Sequence, residues 1–352
     1  MSAGAAAVDF VLQRELLDGV SRTFALTLPA LPERLERVVG NAYLLCRIAD
    51  TIEDAADLDA AAQREFCERF IAIVEGAGEP GAFAREFAPH LAAHASADER
   101  RLIAEIPRVI AITASFTDAE RTALADCLKV MAPGMAAFQR KKNVAGLADL
   151  AEHAEYCYVV AGCVGEMLTR LFVEYLPELA PRRAELMHLA VSFGQCLQMT
   201  NILKDFWEDR ANGACWLPRD VFLAEGLDLA EVKPSDPRFA RGYHRLLGLA
   251  RAHAEAALAY TLAIPARERG IRNFCLWALF MAVLTQRKLF AHPGFADGAA
   301  VKIRRRSVRA TVAWCRAASG SDAALKASFN LLARGLPRDE EGEPERPLKA
   351  AR

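Results

Sequence analysis

Two acidic clusters of the same form, each set in an apolar stretch, constrain this chain more than any other feature. Asp50-Thr51-Ile52-Glu53-Asp54 and Asp205-Phe206-Trp207-Glu208-Asp209 both read D-x-x-E-D. Residues three and four apart share a face of an α-helix, so each copy lines three carboxylates along one side. Like charges crowded on an apolar helix repel one another and resist burial, unless a hard, multiply charged cation sits among them. Two such faces looking at each other across a cavity would make a magnesium trap for a phosphorylated substrate. One cluster alone would read as a solvated helix face. Its repetition in a similar apolar setting favours metal binding.

The residues behind each cluster extend the pattern. Tyr43, Arg47, Asp50 and Asp54 stand at relative positions 0, 4, 7 and 11, among Val, Leu, Ile, Ala and Cys. Gln198, Asn201, Asp205 and Asp209 stand at 0, 3, 7 and 11. An amphipathic surface helix shows a broader polar face. A narrow polar line on a mostly apolar helix points into a cavity. Mg²⁺ is usually held by one or two carboxylates plus substrate phosphates and water. A diphosphate bridged through such ions becomes a good leaving group, and the cation left behind needs a water-free pocket with π faces. Phe24, Tyr43, Phe206, Phe274 and Trp277 are aromatic candidates for that pocket, although each taken singly reads first as plain core.

The segments between turn signals are helical. Alanine, leucine and charged helix formers dominate, and alternating Val/Ile/Thr stretches are scarce. Proline and glycine punctuate the chain at Pro29 and Pro32, Gly76–Pro80, Pro133-Gly134, Pro177–Pro181, Gly213–Pro218, Pro234–Pro237, Pro265 and Pro293-Gly294. Helices are expected over about 35–55, 61–75, 117–131, 148–175, 183–210, 239–262 and 268–290. The expected architecture is all-α, with one domain over 1–336 and a polar tail over 337–352. Of the 352 residues 53% are hydrophobic, enough for a large core, and the net charge of −1 gives no hint of nucleic-acid binding. Nine cysteines lack a repeated C-x-x-C spacing. Cys46, Cys157, Cys196 and Cys275 lie in apolar runs and read as small core residues of a reducing compartment. No signal peptide stands out, and no run of about 18 uninterrupted apolar residues predicts a membrane span. The expectation is a cytoplasmic protein.

The chain resembles the squalene/phytoene synthase family, the head-to-head prenyltransferases. Val20-Ser21-Arg22-Thr23-Phe24-Ala25 is similar to the family's S-R-x-F segment, and Tyr43–Asp50 leads into the first acidic motif as the family does. Tyr156-Cys157-Tyr158-Val159-Val160-Ala161-Gly162-Cys163-Val164-Gly165 resembles its Y-C-x-x-V-A-G-x-V-G signature, and Gln198–Asp205 precedes the second motif in family fashion. The matches run from about residue 20 to about 306.

This resemblance implies an isoprenoid-synthase helical fold with a central active-site cavity, and monomeric chains. It implies that Asp50, Glu53, Asp54, Asp205, Glu208 and Asp209 hold Mg²⁺ and diphosphate. Ser21, Arg22, Arg47, Gln198 and Asn201 would contact phosphate oxygens or position the acids. Phe24, Tyr43, Val160 and Val164 would line the prenyl chains, and Tyr156 would assist proton removal or stabilise a cation. Asn273-Phe274-Cys275 and Ala300-Val301-Lys302-Ile303-Arg304 resemble the squalene-forming branch, which joins two farnesyl diphosphates to presqualene diphosphate and reduces it with NADPH. There Lys302 and Arg304 would bind the dinucleotide phosphates, and Phe274 would shield the second cation. No G-x-G-x-x-G fingerprint supports a nicotinamide site independently, and a basic run is often simply solvated.

The chain departs from the pattern at Lys204, where an Arg is commoner, and in Gly213–Pro218, which lacks a basic residue. Omission of the reduction would give presqualene diphosphate, dehydrosqualene or phytoene instead. A cyclase using one diphosphate, or a helical protein that only binds prenyl chains or a partner, are the readings from other classes. A product of about thirty carbons would leave into lipid, so transient membrane contact is expected.

Overall fold

Helices make up nearly all of the regular structure in this computed structural model, which describes residues 3–21, 24–55, 57–92, 95–234 and 236–338, the backbone alone at 3–9 and 25. Arg22 and all but the first two residues of the expected tail lie outside the described residues. Among the described residues the nearest approach to a strand is one isolated parallel bridge between Leu147 and Pro218.

The helices gather into two compact units, Met1–Arg140 with Glu166–Pro181, and Lys141–Gly165 with Arg182–Arg352. The chain changes unit at 140/141, 165/166 and 181/182. Units interleaved in this way leave no single boundary for composition to mark, which is why the sequence reads as one domain.

In the first unit, helix Glu33–Glu53 carries the first acidic motif. Leu35, Val38, Ala42, Leu45, Ile48 and Ile52 recur at helical spacing and are all buried. They pack against Ala60–Val74, Ile106–Ala114 and Asp118–Arg140. Inside that interface Asn41 is buried and donates to Thr113 Oγ1 at 2.7 Å. Asp118–Arg140 runs through Pro133, beyond the stop expected near 131. A proline inside a helix forfeits one hydrogen bond and costs about 3 kcal/mol. Burial of Met131, Ala132, Ala136 and Phe138 on both sides of it offsets that cost.

In the second unit, helix Arg183–Ala211 carries the second motif and packs on Pro237–Ala263, Arg269–Ala291 and the π-helical turn Tyr158–Gly162. This approach requires glycine. A Cβ on Gly194 would stand 2.3 Å from the Ala161 carbonyl oxygen, and one on Gly165 would stand 2.3 Å from that of Ala190. Between the helices Gln286 donates to Thr200 Oγ1 at 3.0 Å.

Leu150–Tyr175 and Arg269–Ala291 are long and apolar enough to cross a membrane by length and composition. An uninterrupted-run criterion misses both, because charged residues break the runs. Arg269–Ala291 nonetheless serves as core, with 61% of its most apolar stretch buried. Its Arg272 is 1% exposed and donates to the carbonyls of Ile264, Leu262 and Ser319 and to Asp322.

Overpacking of a close helix contact costs about 1–3 kcal/mol, so Gly194→Ala should lower unfolding stability by about 2 kcal/mol in equilibrium denaturation. Wild-type stability in this variant would contradict the helix contact.

Candidate active site

In the first unit the candidate residues lie on a turn and on the helix that carries the first acidic motif. Ser21 is buried, and its Oγ accepts from the Phe24 N–H at 3.0 Å. That bond sets Phe24 against Tyr43, the rings stacked 4.9 Å apart at 17°. Tyr43 donates its hydroxyl to the Val20 carbonyl at 3.3 Å. One turn on, Arg47 stands 3.6 Å from Asp50 and is ion-paired with Glu99. Its Nε is buried without a hydrogen-bond partner among the described residues.

Glu99 was not singled out by sequence. It closes the capping box of helix Ala97–Ala104 with Ser96, and hydrogen bonds from Ser96 and then Arg47 hold its carboxyl below the usual range. The local Ser-x-x-Glu signal was readable. Its pairing with Arg47, 52 residues away, was not.

Asp50 keeps 32% of its side-chain surface exposed, yet burial raises its carboxyl to about 6, against the pull of Arg47 and with repulsion from Asp54. Glu53 is half-buried and Asp54 exposed. The polar stripe Tyr43–Arg47–Asp50–Asp54 therefore reaches solvent while Leu44, Leu45, Ile48, Ala49 and Ile52 beside it do not.

The second acidic motif belongs to the second unit. Gln198, Asp205 and Asp209 are half-buried, and Asn201 and Glu208 are exposed. Lys204 pairs with Asp205 at 3.1 Å and donates to Asn201 Oδ1 at 3.4 Å. Burial raises Asp209 to about 6, with repulsion from Asp205 and Glu208 adding to it and Lys142 and Lys204 opposing. Lys142 had no sequence signal, since only the fold brings it near Asp209.

Beneath this stripe lies an aromatic layer. Phe206 is 1% exposed, with its ring 5.1 Å from Phe239 and 4.8 Å from Trp207. Tyr243 donates to the Leu203 carbonyl at 2.8 Å. Phe206 is thus core, as is Trp277, which is 2% exposed beneath the Arg316 guanidinium. Phe274 is 6% exposed.

Tyr156 is half-buried in the last turn of helix Leu150–Cys157, just before the π-helical turn, its ring stacked on Trp216 with centroids 4.5 Å apart at 14°. Trp216 is held in turn by buried His153, whose Nδ1 donates to the Trp216 carbonyl at 2.8 Å. Burial lowers His153 to about 4, so the ring is neutral. Leu147 N–H donates to the Leu217 carbonyl at 3.0 Å and pins the same loop. Trp216 was visible in sequence only as part of a turn. Val160 and Val164 are half-buried on the segment that follows Tyr156.

Lys302 and Arg304 are exposed. Their segment begins at Gly298, where a Cβ would stand 3.2 Å from the Lys204 carbonyl and 3.8 Å from Asp205 Oδ1. Lys288 Nζ donates to the Lys302 carbonyl at 2.6 Å. The two cations are therefore anchored in the neighbourhood of the second acidic motif.

Among the described residues no three His, Cys, Asp or Glu side chains gather closely enough to hold a metal ion alone. A cation at either cluster would take its remaining ligands from water or phosphate, the usual arrangement for Mg²⁺. The donor chemistry fits: hard carboxylate oxygens, two of them raised towards neutrality by burial and by acidic neighbours.

These shifts fix a pH dependence. Asp50 and Asp209 bind protons more tightly folded than unfolded, so their contribution to stability is present below about 3.8 and is lost as pH rises through about 6. In the presence of EDTA, Asp209→Asn should therefore stabilise the protein at pH 7.5 by about 1 kcal/mol after solvent screening. The gain should shrink towards pH 4.5, and Mg²⁺ should raise the wild-type melting temperature at pH 7.5. A gain independent of pH would contradict the assignment.

The chain has relatives among known proteins. The squalene/phytoene synthase family model matches residues 17–317. A squalene synthase of Botryococcus braunii is 32% identical over 301 residues, 83% of this chain and 61% of that protein. One of Mycosarcoma maydis is 30% identical over 300 residues, 79% of this chain and 50% of that protein. The chain thus spans about half to three-fifths of the length of these relatives. A ligand-bound structure of TcSQS superposes with a TM-score of 0.72 at 22% identity, covering 95% of this chain and 94% of that one. At that identity the likeness shows the fold, an isoprenoid-synthase arrangement of helices. With the two acidic helices and the Tyr156 segment inside the matched region, the chain belongs to the squalene/phytoene synthase family.

Proposed function

We propose that this chain is a Mg²⁺-dependent prenyltransferase that joins two farnesyl diphosphates head to head to presqualene diphosphate and, with NADPH, reduces it to squalene. The observation that carries this reading is the pair of acidic stripes, each with a carboxylate raised to about 6, in a chain of this family. The curated relatives named squalene synthase support the product.

Asp50, Glu53 and Asp54, with Asp205, Glu208 and Asp209, would hold the metal ions. Bound Mg²⁺ would neutralise the charge that builds on diphosphate as the C–O bond breaks. Arg47 would donate to a phosphate oxygen, a role supported by its orphaned Nε and its pairing to Glu99. Ser21, Gln198 and Asn201 would orient the same group through neutral hydrogen bonds. The stacked rings of Phe24 and Tyr43 would offer an aromatic wall to an isoprenoid chain, and Val160 and Val164 would line its path. Tyr156, fixed against Trp216, would offer its π face to the allylic cation and its hydroxyl to the departing proton. Phe274 would shield the cation formed in the second half of the reaction. Lys302 and Arg304, exposed cations beside the Asp205 helix, suit the phosphates of NADPH, which supplies the hydride. Product release into a bilayer fits an otherwise cytoplasmic, monomeric enzyme.

Chromatography of products from farnesyl diphosphate tests this. Squalene with NADPH and presqualene diphosphate without it are expected. Asp50→Asn and Asp205→Asn should each lower kcat/KM at least about 100-fold. Dehydrosqualene in place of squalene would remove the reduction step, and a preference for geranylgeranyl diphosphate would overturn the substrate.

A further inference from the structure

An apolar groove of about 540 Å³ lies on the second unit, away from the acidic residues in sequence. It is formed where helices Arg305–Ala318 and Asp322–Ala333 cover the C-terminal part of Arg269–Ala291. Phe280, Leu284 and Leu332 lie along it, while Trp314 and Leu331 remain 47% and 68% exposed. Most exposed hydrophobic residues are isolated and need no explanation. Here a Trp and a Leu border the same groove.

The Trp314 indole N–H already donates to Ser328 Oγ at 3.1 Å, and Ser328 donates to the Ala324 carbonyl at 2.7 Å. An apolar chain laid against the Trp314 ring therefore strands no donor. Along the outer side of the same helix Arg306, Ala310, Ala313 and Ala317 form one stripe at helical spacing, all exposed. Arg305, Arg309 and Arg316 flank it, and Arg305–Ala318 holds no acidic residue.

The charge around the groove is lopsided although the chain's net charge is only −1. From Lys302 to Arg338 there are nine Lys and Arg residues and one acid, Asp322. Asp322 is already paired with Arg272 at 2.7 Å. A helix with small apolar residues and a Trp on one side, arginines beside them and no acids has the composition of a segment lying in a membrane interface. Polybasic surfaces of this kind are drawn to anionic lipid. The mostly apolar lining argues against a nucleic acid, which would need polar and stacking contacts along its backbone.

We propose that this face docks on an anionic phospholipid bilayer, with Trp314 and Leu331 entering the acyl boundary and Arg306 and Arg309 at the headgroup phosphates. The inference stands independently of the proposed reaction.

The test is co-sedimentation of the full chain with phosphatidylcholine vesicles, with and without phosphatidylglycerol. Binding is expected to the anionic vesicles and to weaken with added salt. Leu331→Glu, and separately the pair Arg306→Glu with Arg309→Glu, should each lower the partition coefficient about tenfold. Their melting temperatures should remain those of the wild type, since all three side chains are exposed. Brominated lipid should quench tryptophan emission in the wild type but not in Trp314→Phe. Absence of binding to anionic vesicles, equal binding to both vesicle types, or unchanged binding by Leu331→Glu would each overturn the proposal.

Discussion

The structure around the acidic motifs depends on one electrostatic constraint, the cost of keeping carboxylates charged on helices whose other faces are core. Asp50 and Asp209 are both raised to about 6, first by desolvation and then by acidic neighbours. Nearby cations offset part of this, Arg47 for Asp50, with Lys142 and Lys204 for Asp209. The offset is incomplete on both helices. A site of that kind is poised for added positive charge, and a hard divalent cation is the chemistry its oxygens suit. Under the proposed function, folding stability and metal binding would be linked through the same residues.

Around that constraint the fold supplies rigidity. Gly165 and Gly194 allow backbone-to-backbone approach of the helix bearing Asp205 and the segment bearing Tyr156. The π-helical turn Tyr158–Gly162 takes up an extra residue in that segment, a feature that recurs at functional sites. Trp216 backs the Tyr156 ring, and neutral His153 fixes Trp216. In the first unit the Arg47–Glu99 pair does comparable work, joining the acidic helix to the capped start of Ala97–Ala104.

Much of this was legible in the sequence, for definite reasons. Helix periodicity and the doubled D-x-x-E-D are local patterns, so the all-α fold and the polar stripes could be read directly, and the Tyr156 and Gln198 segments pointed to the family. What could not be read is long-range. Glu99, Lys142 and Trp216 reach the site only through the fold, and the two-unit division is hidden because the chain crosses it repeatedly. Pro133 misled in the opposite sense. It is a local stop signal overruled by burial on either side. Phe206 and Trp277, which taken singly read as plain core, are buried in it.

In the proposed function the two acidic motifs serve two prenyl diphosphates in one chain through divalent metal. Calorimetric titration with an unreactive thio-substituted farnesyl diphosphate measures this directly. Two molecules bound per chain, with binding abolished by EDTA and restored by Mg²⁺, is the predicted result. Binding of a single molecule per chain, or binding indifferent to EDTA, would contradict it.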